Sequence, residues 1–332
     1  MANEANSMTS SAGVRSGAAE WLILSLPGLI WGASYLFIAD SLGAIGPGGV
    51  TFVRLAIGFL TLSLFPPARK PVLRSDWGKI VALGAFWMAF PLSMFPFAER
   101  YVSSALTGML NGANPLFTAS VAALIAWKLP SRRVIVGIAI GMAGAVVIAL
   151  PALGEGHSTI AGVGMILAAL VSYGVALNLA SPLQQRNGAL PVILRTQFVA
   201  LILVAPIGLR DVFHIRWAPG PLAALLALGV LSTGIAFAIM SVSAGRFGAT
   251  RASSAAFLIP AEALLLGVLF RGEHVAVLSV IGGVVCVAGA LIMRGGPATG
   301  KRSVDAASAE PNPQKDKTVP PDPQLQPSES AR

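Results

Sequence analysis

Long apolar runs separated by short polar connections dominate the chain. Ten can be read, at about 19–39, 48–65, 77–97, 103–126, 131–150, 161–183, 189–209, 219–241, 249–270 and 274–293. A helix rises 1.5 Å per residue, so runs of roughly 18–24 residues can cross a hydrocarbon layer of about 30 Å. The pattern predicts an all-α polytopic membrane protein with ten transmembrane helices. The first 18 residues are polar and lack the layout of a cleavable signal, so the first run is expected to stay in the mature protein. Residues 299–332 are rich in Pro, Ser, Lys and Asp and cannot bury enough apolar surface to fold. Both ends (1–18 and 299–332) are expected to be disordered and cytoplasmic.

Composition agrees with the pattern. Of 332 residues, 55% are hydrophobic and 11% charged, too apolar a balance for one water-soluble core. The net charge of +9 would suggest nucleic acid as a partner in a soluble protein. Here the basic residues alternate by connection. Fourteen lie near the ends on the side of the N-terminus, against Arg100, Arg210, Arg216 and Arg271 on the other. The positive-inside rule then places both termini in the cytoplasm of a cell (plasma or inner) membrane, and nucleic acid drops out. Cys286 is the single cysteine and the three histidines are scattered, so no disulfide, metal site or cofactor is expected.

The chain also repeats. An offset of 145 sets Pro115 against Pro260, Gly137 against Gly282 and Ala143-Gly144-Ala145 against Ala288-Gly289-Ala290. A slightly shorter offset sets Trp31-Gly32 against Tyr173-Gly174 and Arg54 against Arg195. Two halves of five helices follow, 19–150 and 161–293. Five is odd, so the second half enters the membrane from the opposite side, and the pattern predicts two inverted repeats around a central cavity.

Four stretches carry a family likeness: WGASYLFIADSLGAIGPGGVTFVRLAIGFL (31–60), ERYVSSALTGMLNGANPLFTASVAALIAW (99–127), IVGIAIGMAGAVVIAL (135–150) and the run from Arg246 to Met293. Together they resemble an EamA-type transporter of the drug/metabolite transporter superfamily. The resemblance spans about 19–294 and implies ten helices as two inverted repeats that move small metabolites. One position departs from it: Lys128 stands opposite Glu273, where such families commonly carry an acidic residue in both halves.

Candidate site residues follow from polar groups inside apolar runs. In MLNGANPLFT, Pro115 removes a helix hydrogen bond, and Asn111 and Asn114 can satisfy the opened backbone or line a cavity. Pro260 is the matching kink. Glu262, opposite Phe117, is a mid-membrane carboxylate, which costs roughly 2.5–3.5 kcal/mol and suits proton coupling or a substrate amine. A structural ion pair with Arg54 or Arg195, or a position nearer the water interface, are the other readings. Arg54 and Arg195 lie about 9 Å into their helices, a depth that suits structural, gating or carboxylate-binding roles. Trp31, Tyr35, Tyr173 and Asn178 are further cavity candidates, as are Ser34 and Ser232-Thr233. Glycines four apart (28/32, 108/112, 137/141) suit close helix packing. No phosphate loop, metal cluster or catalytic dyad is present in the sequence. The expected function is secondary transport of a small, amino-acid-like metabolite, as an exporter working by alternating access. An uncoupled facilitator or importer, or an intramembrane lipid-modifying enzyme, are the alternatives. Substrate, membrane lipid and a coupling proton are the expected partners, and the sequence leaves open whether two chains associate.

Overall fold

Without water inside a bilayer, every backbone N–H and C=O must find its partner within the protein, which favours helices. A computed structural model of the chain describes residues 2–154, 156–247 and 253–294; they are helical, with no strand among them. The 299–332 tail lies outside the described residues. At the other end the helix α1 (Ala2–Ser41) takes in most of the segment expected to be irregular, beginning well before the apolar pattern at residue 19.

After α1 come α2 (Pro47–Ser63), then α3 (Trp77–Leu83) and α4 (Phe90–Ala98) joined by the π-helical segment Gly84–Ala89. Pro47 starts α2 at a position whose N–H has no helical partner anyway. Next are α5 (Ser104–Asn111), α6 (Asn114–Ala126), α7 (Arg132–Leu153), α8 (His157–Asn187) and α9 (Ala189–Val212). A second π-helical segment, Leu228–Ile235, joins α10 (Pro219–Ala227) to α11 (Ala236–Phe247). A 3₁₀ turn, Ser253–Leu258, leads into α12 (Ile259–Arg271), and α13 (Val277–Arg294) closes the bundle.

Among the described residues six stretches are long and apolar enough to cross a membrane: Glu20–Ser41, Arg74–Ala98, Arg132–Ala152, Thr159–Asn187, Ala189–Val212 and Pro219–Ala244. Helices α5 and α6, bent by 40° at their break, make a seventh when read as one span. Large apolar side chains such as Trp21, Leu124, Leu269, Phe270 and Val284 face outward, as a lipid-bathed surface requires.

Side chains pack into two cores. One gathers Tyr35, Val50, Phe95, Leu110, Leu116, Ile148 and Ile166; the other gathers Leu55, Leu83, Trp87, Met88, Leu183 and Ile193. Tyr173, in the middle of α8, packs against both. The tightest seam joins α7 to α13 through glycine. A Cβ on Gly144 would lie 2.4 Å from Cys286 N, and one on Gly289 would lie 2.4 Å from Gly141 N. These two contacts exchange under the 145-residue offset. A similar reciprocity holds elsewhere: Gly84 faces Val199 at 2.4 Å, while Gly229, 145 residues on, faces Ile57, 142 residues before Val199, at 2.5 Å. Glycine is needed at both seam positions because the opposing atoms are backbone and cannot swing away.

Candidate functional site

The site grows out of the two π-helical segments. A π turn widens the helix and frees carbonyls from the usual ladder, so side chains elsewhere can bond to them. In Leu228–Ile235 the freed oxygens take Trp31 Nε1 at 3.0 Å (on Ser232 O), Gln197 Nε2 at 2.6 Å (on Thr233 O) and Thr233 Oγ1 at 3.1 Å (on Leu228 O). In Gly84–Ala89, Ser172 Oγ donates to Phe86 O at 2.7 Å. Ser172 and Trp31 lie at nearly matched positions of the two halves, each tying its helix to a π segment.

Arg54 enters this region from α2 with only 4% of its surface exposed. Its Nε donates to Thr233 Oγ1 at 3.2 Å, and among the described residues no carboxylate forms an ion pair with it. Tyr173, Tyr35 and Glu99 act on it electrostatically. Aromatic rings form the walls. Phe95 stands between Tyr35 (centroids 5.7 Å) and Tyr173 (6.0 Å), and Phe237 stands between Trp31 (5.3 Å) and Trp87 (5.8 Å). Gln197 is fully buried and its Oε1 has no partner among the described residues.

Depth follows from α8. Its stretch from Thr159 to Asn187 connects two surface pockets, one of about 240 Å³ that includes Glu99, Thr159 and His274, the other of about 320 Å³ that includes Lys70, Asn187 and Ser241. Tyr173 is midway along that stretch, roughly 20 Å from either end at 1.5 Å per residue. The aromatic and guanidinium cluster therefore sits beside the middle of α8.

Charge networks close the ends. Next to the smaller pocket, Arg271 pairs with Asp40 and lies 3.4 Å from Glu273. Glu273 accepts from Ser104 N (3.0 Å), Ser104 Oγ (2.8 Å) and Ala105 N (2.8 Å), which satisfies the open N-terminus of α5. At the opposite end Asp76 pairs with Arg186 and accepts from Asn187 at 2.8 Å.

The residues singled out in the sequence scatter over several settings. Trp31, Tyr35, Tyr173 and Arg54 come together. Arg195 does not join them: its guanidinium reaches the carbonyls of Ala68 and Arg69 at the end where Asp76 lies. Asn178 Nδ2 is spent between helices, donating to Thr118 O (3.1 Å) and Gly174 O (2.8 Å). Asn111 ends α5 at 8% exposure with its Oδ1 unpartnered, and Asn114 starts α6 with Pro115 in the first turn. The bend foreseen at MLNGANPLFT is thus a break between two helices. Pro260 occupies the same first-turn position in α12. Glu262 is half-buried, and its Cβ is where a side chain at Gly32 would collide. No ion pair joins it to Arg54 or Arg195 among the described residues. Sequence reasoning passed over Glu99, Gln197, Trp87, Phe95 and Phe237. Gln197 carried a signal, being amide-bearing inside an apolar run; the aromatics carried none, since packing uses the same residue types.

Comparison with known proteins matches the model of the EamA-like transporter family twice, at residues 19–150 and 160–295. A probable terminal-alkyne amino-acid exporter of Streptantibioticus cattleyicolor is 26% identical, over 83% of this chain and 93% of that one. An uncharacterised transporter of Bacillus subtilis is 27% identical, over 78% and 86%. A probable amino-acid metabolite efflux pump of Salmonella typhimurium is 22% identical, over 80% and 91%. One solved crystal structure, 20% identical, has the same fold at a TM-score of 0.57 and covers 83% of this chain and 96% of its own.

Proposed function

The chain belongs to the EamA-like transporter family, and from that premise we propose that it exports a small amino-acid-like metabolite by alternating access. Ten membrane-crossing segments, in two inverted halves at 19–150 and 161–293, rock around a mid-depth site. Support for the halves comes from the double family match and from contacts that exchange between them, Gly144 to Cys286 with Gly289 to Gly141 under the offset of 145, and Gly84 to Val199 with Gly229 to Ile57 under 145 and the shorter 142. The π segments obey the same relation, Gly84–Ala89 corresponding to the core of Leu228–Ile235. Both termini face the cytoplasm on the charge argument, so the Asp40–Arg271–Glu273 end faces outward.

A single observation carries the substrate reading: Arg54 is a buried guanidinium with no carboxylate paired to it among the described residues, set between aromatic walls. Guanidinium binds carboxylate through two parallel hydrogen bonds, and a water-poor setting strengthens them. Aromatic faces suit an apolar side chain. An α-amino acid combines the two, and two relatives bear amino-acid names. Thermal unfolding of the purified protein with each of the L-amino acids tests this. A ligand at one hundred times its Kd raises stability by about 2.7 kcal/mol. At least one amino acid is expected to raise Tm, and Arg54→Met to abolish that rise; no rise with any of them would reject the substrate class.

A further inference from the structure

Three helices send a side chain to the same turn of the π-helical segment Leu228–Ile235. Trp31 of α1 donates to Ser232 O at 3.0 Å, Arg54 of α2 donates through Nε to Thr233 Oγ1 at 3.2 Å, and Gln197 of α9 donates through Nε2 to Thr233 O at 2.6 Å. Thr233 is itself held: its Oγ1 donates to Leu228 O at 3.1 Å, and its Cγ2 fills the space beside Gly58, where a Cβ would lie 2.5 Å away. Arg54 and Gln197 are thus fixed to two atoms of one residue. Four covalent bonds separate those atoms, a span of at most about 5 Å. With the two hydrogen bonds added, Arg54 Nε and Gln197 Nε2 lie within about 11 Å of each other.

Gln197 has half of its amide unused. A carbonyl oxygen only accepts, so Thr233 O fixes which branch of the amide carries the NH2, and Oε1 is left needing a donor. That oxygen is buried and has no partner among the described residues. A buried acceptor without a donor is unfavourable, whereas a methyl in its place would not be. Packing does not ask for an amide here: 142 residues earlier the first half carries Leu55, also fully buried. The unused oxygen suits a ligand that brings its own N–H.

We propose that Gln197 makes the carrier select zwitterions over plain carboxylates: Oε1 accepts an N–H from the substrate ammonium while the guanidinium of Arg54 holds the carboxylate. This rests on the Arg54 reading given above. Nε already serves Thr233, which leaves the two terminal nitrogens of Arg54 for the carboxylate. An α-amino acid with a hydrogen bond at each end spans about 9 Å, the scale of separation that Thr233 sets. The indole of Trp31, held at Ser232 O, adds an aromatic face that suits a cation. Gln197 is neutral and adds no charge of its own. It rejects an acid that lacks the amine by leaving a buried oxygen unpaired, the kind of mismatch that discriminates strongly.

The test compares ligands that differ only in the ammonium. Thermal unfolding of the purified full-length protein is followed against the concentration of L-phenylalanine and hydrocinnamate, L-leucine and isocaproate, and L-valine and isovalerate, the acid of each pair carrying hydrogen in place of the amine. The unaltered protein is expected to bind the amino acid of a pair at least about tenfold more tightly, since a hydrogen bond to a charged group is lost with the amine. Gln197→Met and Gln197→Leu should each bring the two affinities together while the acid still raises Tm. Arg54→Met should abolish binding of both. Equal affinities in the unaltered protein, or a preference that survives in either Gln197 variant, overturn the proposal and leave the Arg54 reading standing. A glutamine needed only for packing would change Tm without ligand and leave the preference as it was. No rise with any of the six compounds rejects the Arg54 reading for apolar amino acids, and the proposal falls with it.

Discussion

Replacing Arg54 by methionine separates binding from stability. Taking a guanidinium out of water is unfavourable by several kcal/mol even after relaxation. In this protein the offsetting contact is the bond from Nε to Thr233 Oγ1 at 3.2 Å, and a hydrogen bond to a charged group contributes about 1.5–3 kcal/mol. No ion pair adds to it among the described residues. Methionine keeps much of the apolar stem and removes the charge, while Thr233 Oγ1 keeps its own bond to Leu228 O. Replacing a whole buried ion pair by apolar groups of similar size often stabilises by about 1–4 kcal/mol; removing Arg54 leaves no ion-paired partner uncompensated among the described residues, so its loss acts in the same direction. At about 2 °C or more per kcal/mol, Tm should rise by several degrees. Trp31 and Trp87 border the site, so their fluorescence on heating reads the transition. Amino-acid flux in the same preparation should vanish. A variant that unfolds several degrees lower, or that still transports, would refute the reasoning, because Arg54 would then be a structural group.

Three other outcomes follow from the packing and the end networks. Gly289→Ala puts a Cβ 2.4 Å from Gly141 N and 2.6 Å from Gly137 O, so α7 and α13 must part; a loss of about 1–3 kcal/mol is expected, read as a lower Tm in detergent. Glu273→Ala leaves the two backbone donors of Ser104 and Ala105 without their acceptor and should lower stability by roughly 1–3 kcal/mol, with faster hydrogen exchange at the start of α5. Asn178→Ala removes one contact from α8 to α6, which should lower stability by about 0.6–1.7 kcal/mol and leave amino-acid binding in place by thermal shift.

Much of this molecule could be read from its sequence, for reasons tied to solvent. Lipid demands long apolar runs, so the helical spans stood out. Pro115 and Pro260 could only begin a helix or break one, and each begins one. Glycines four apart are informative when the facing surface is backbone, as at Gly137 and Gly141 against Gly289. The site was harder to read. Arg54 and Arg195 lie at equal depth in their helices, yet Arg195 reaches end carbonyls while Arg54 turns inward onto Thr233. Depth alone does not choose between those outcomes; the partner helix does. The π segments leave no compositional mark, because a widened turn needs no special residue. Glu99 looked like an ordinary connection residue, since charge beside a span end is normally solvated.

The central claim is that the chain carries amino-acid-like metabolites through a site organised by Arg54. It is tested most directly by mass spectrometry of the growth medium from cells producing either the unaltered protein or Arg54→Met at equal membrane abundance. The account predicts that amino acids or close derivatives accumulate outside with the unaltered protein and stay at background with the variant. Equal accumulation with both proteins would contradict it.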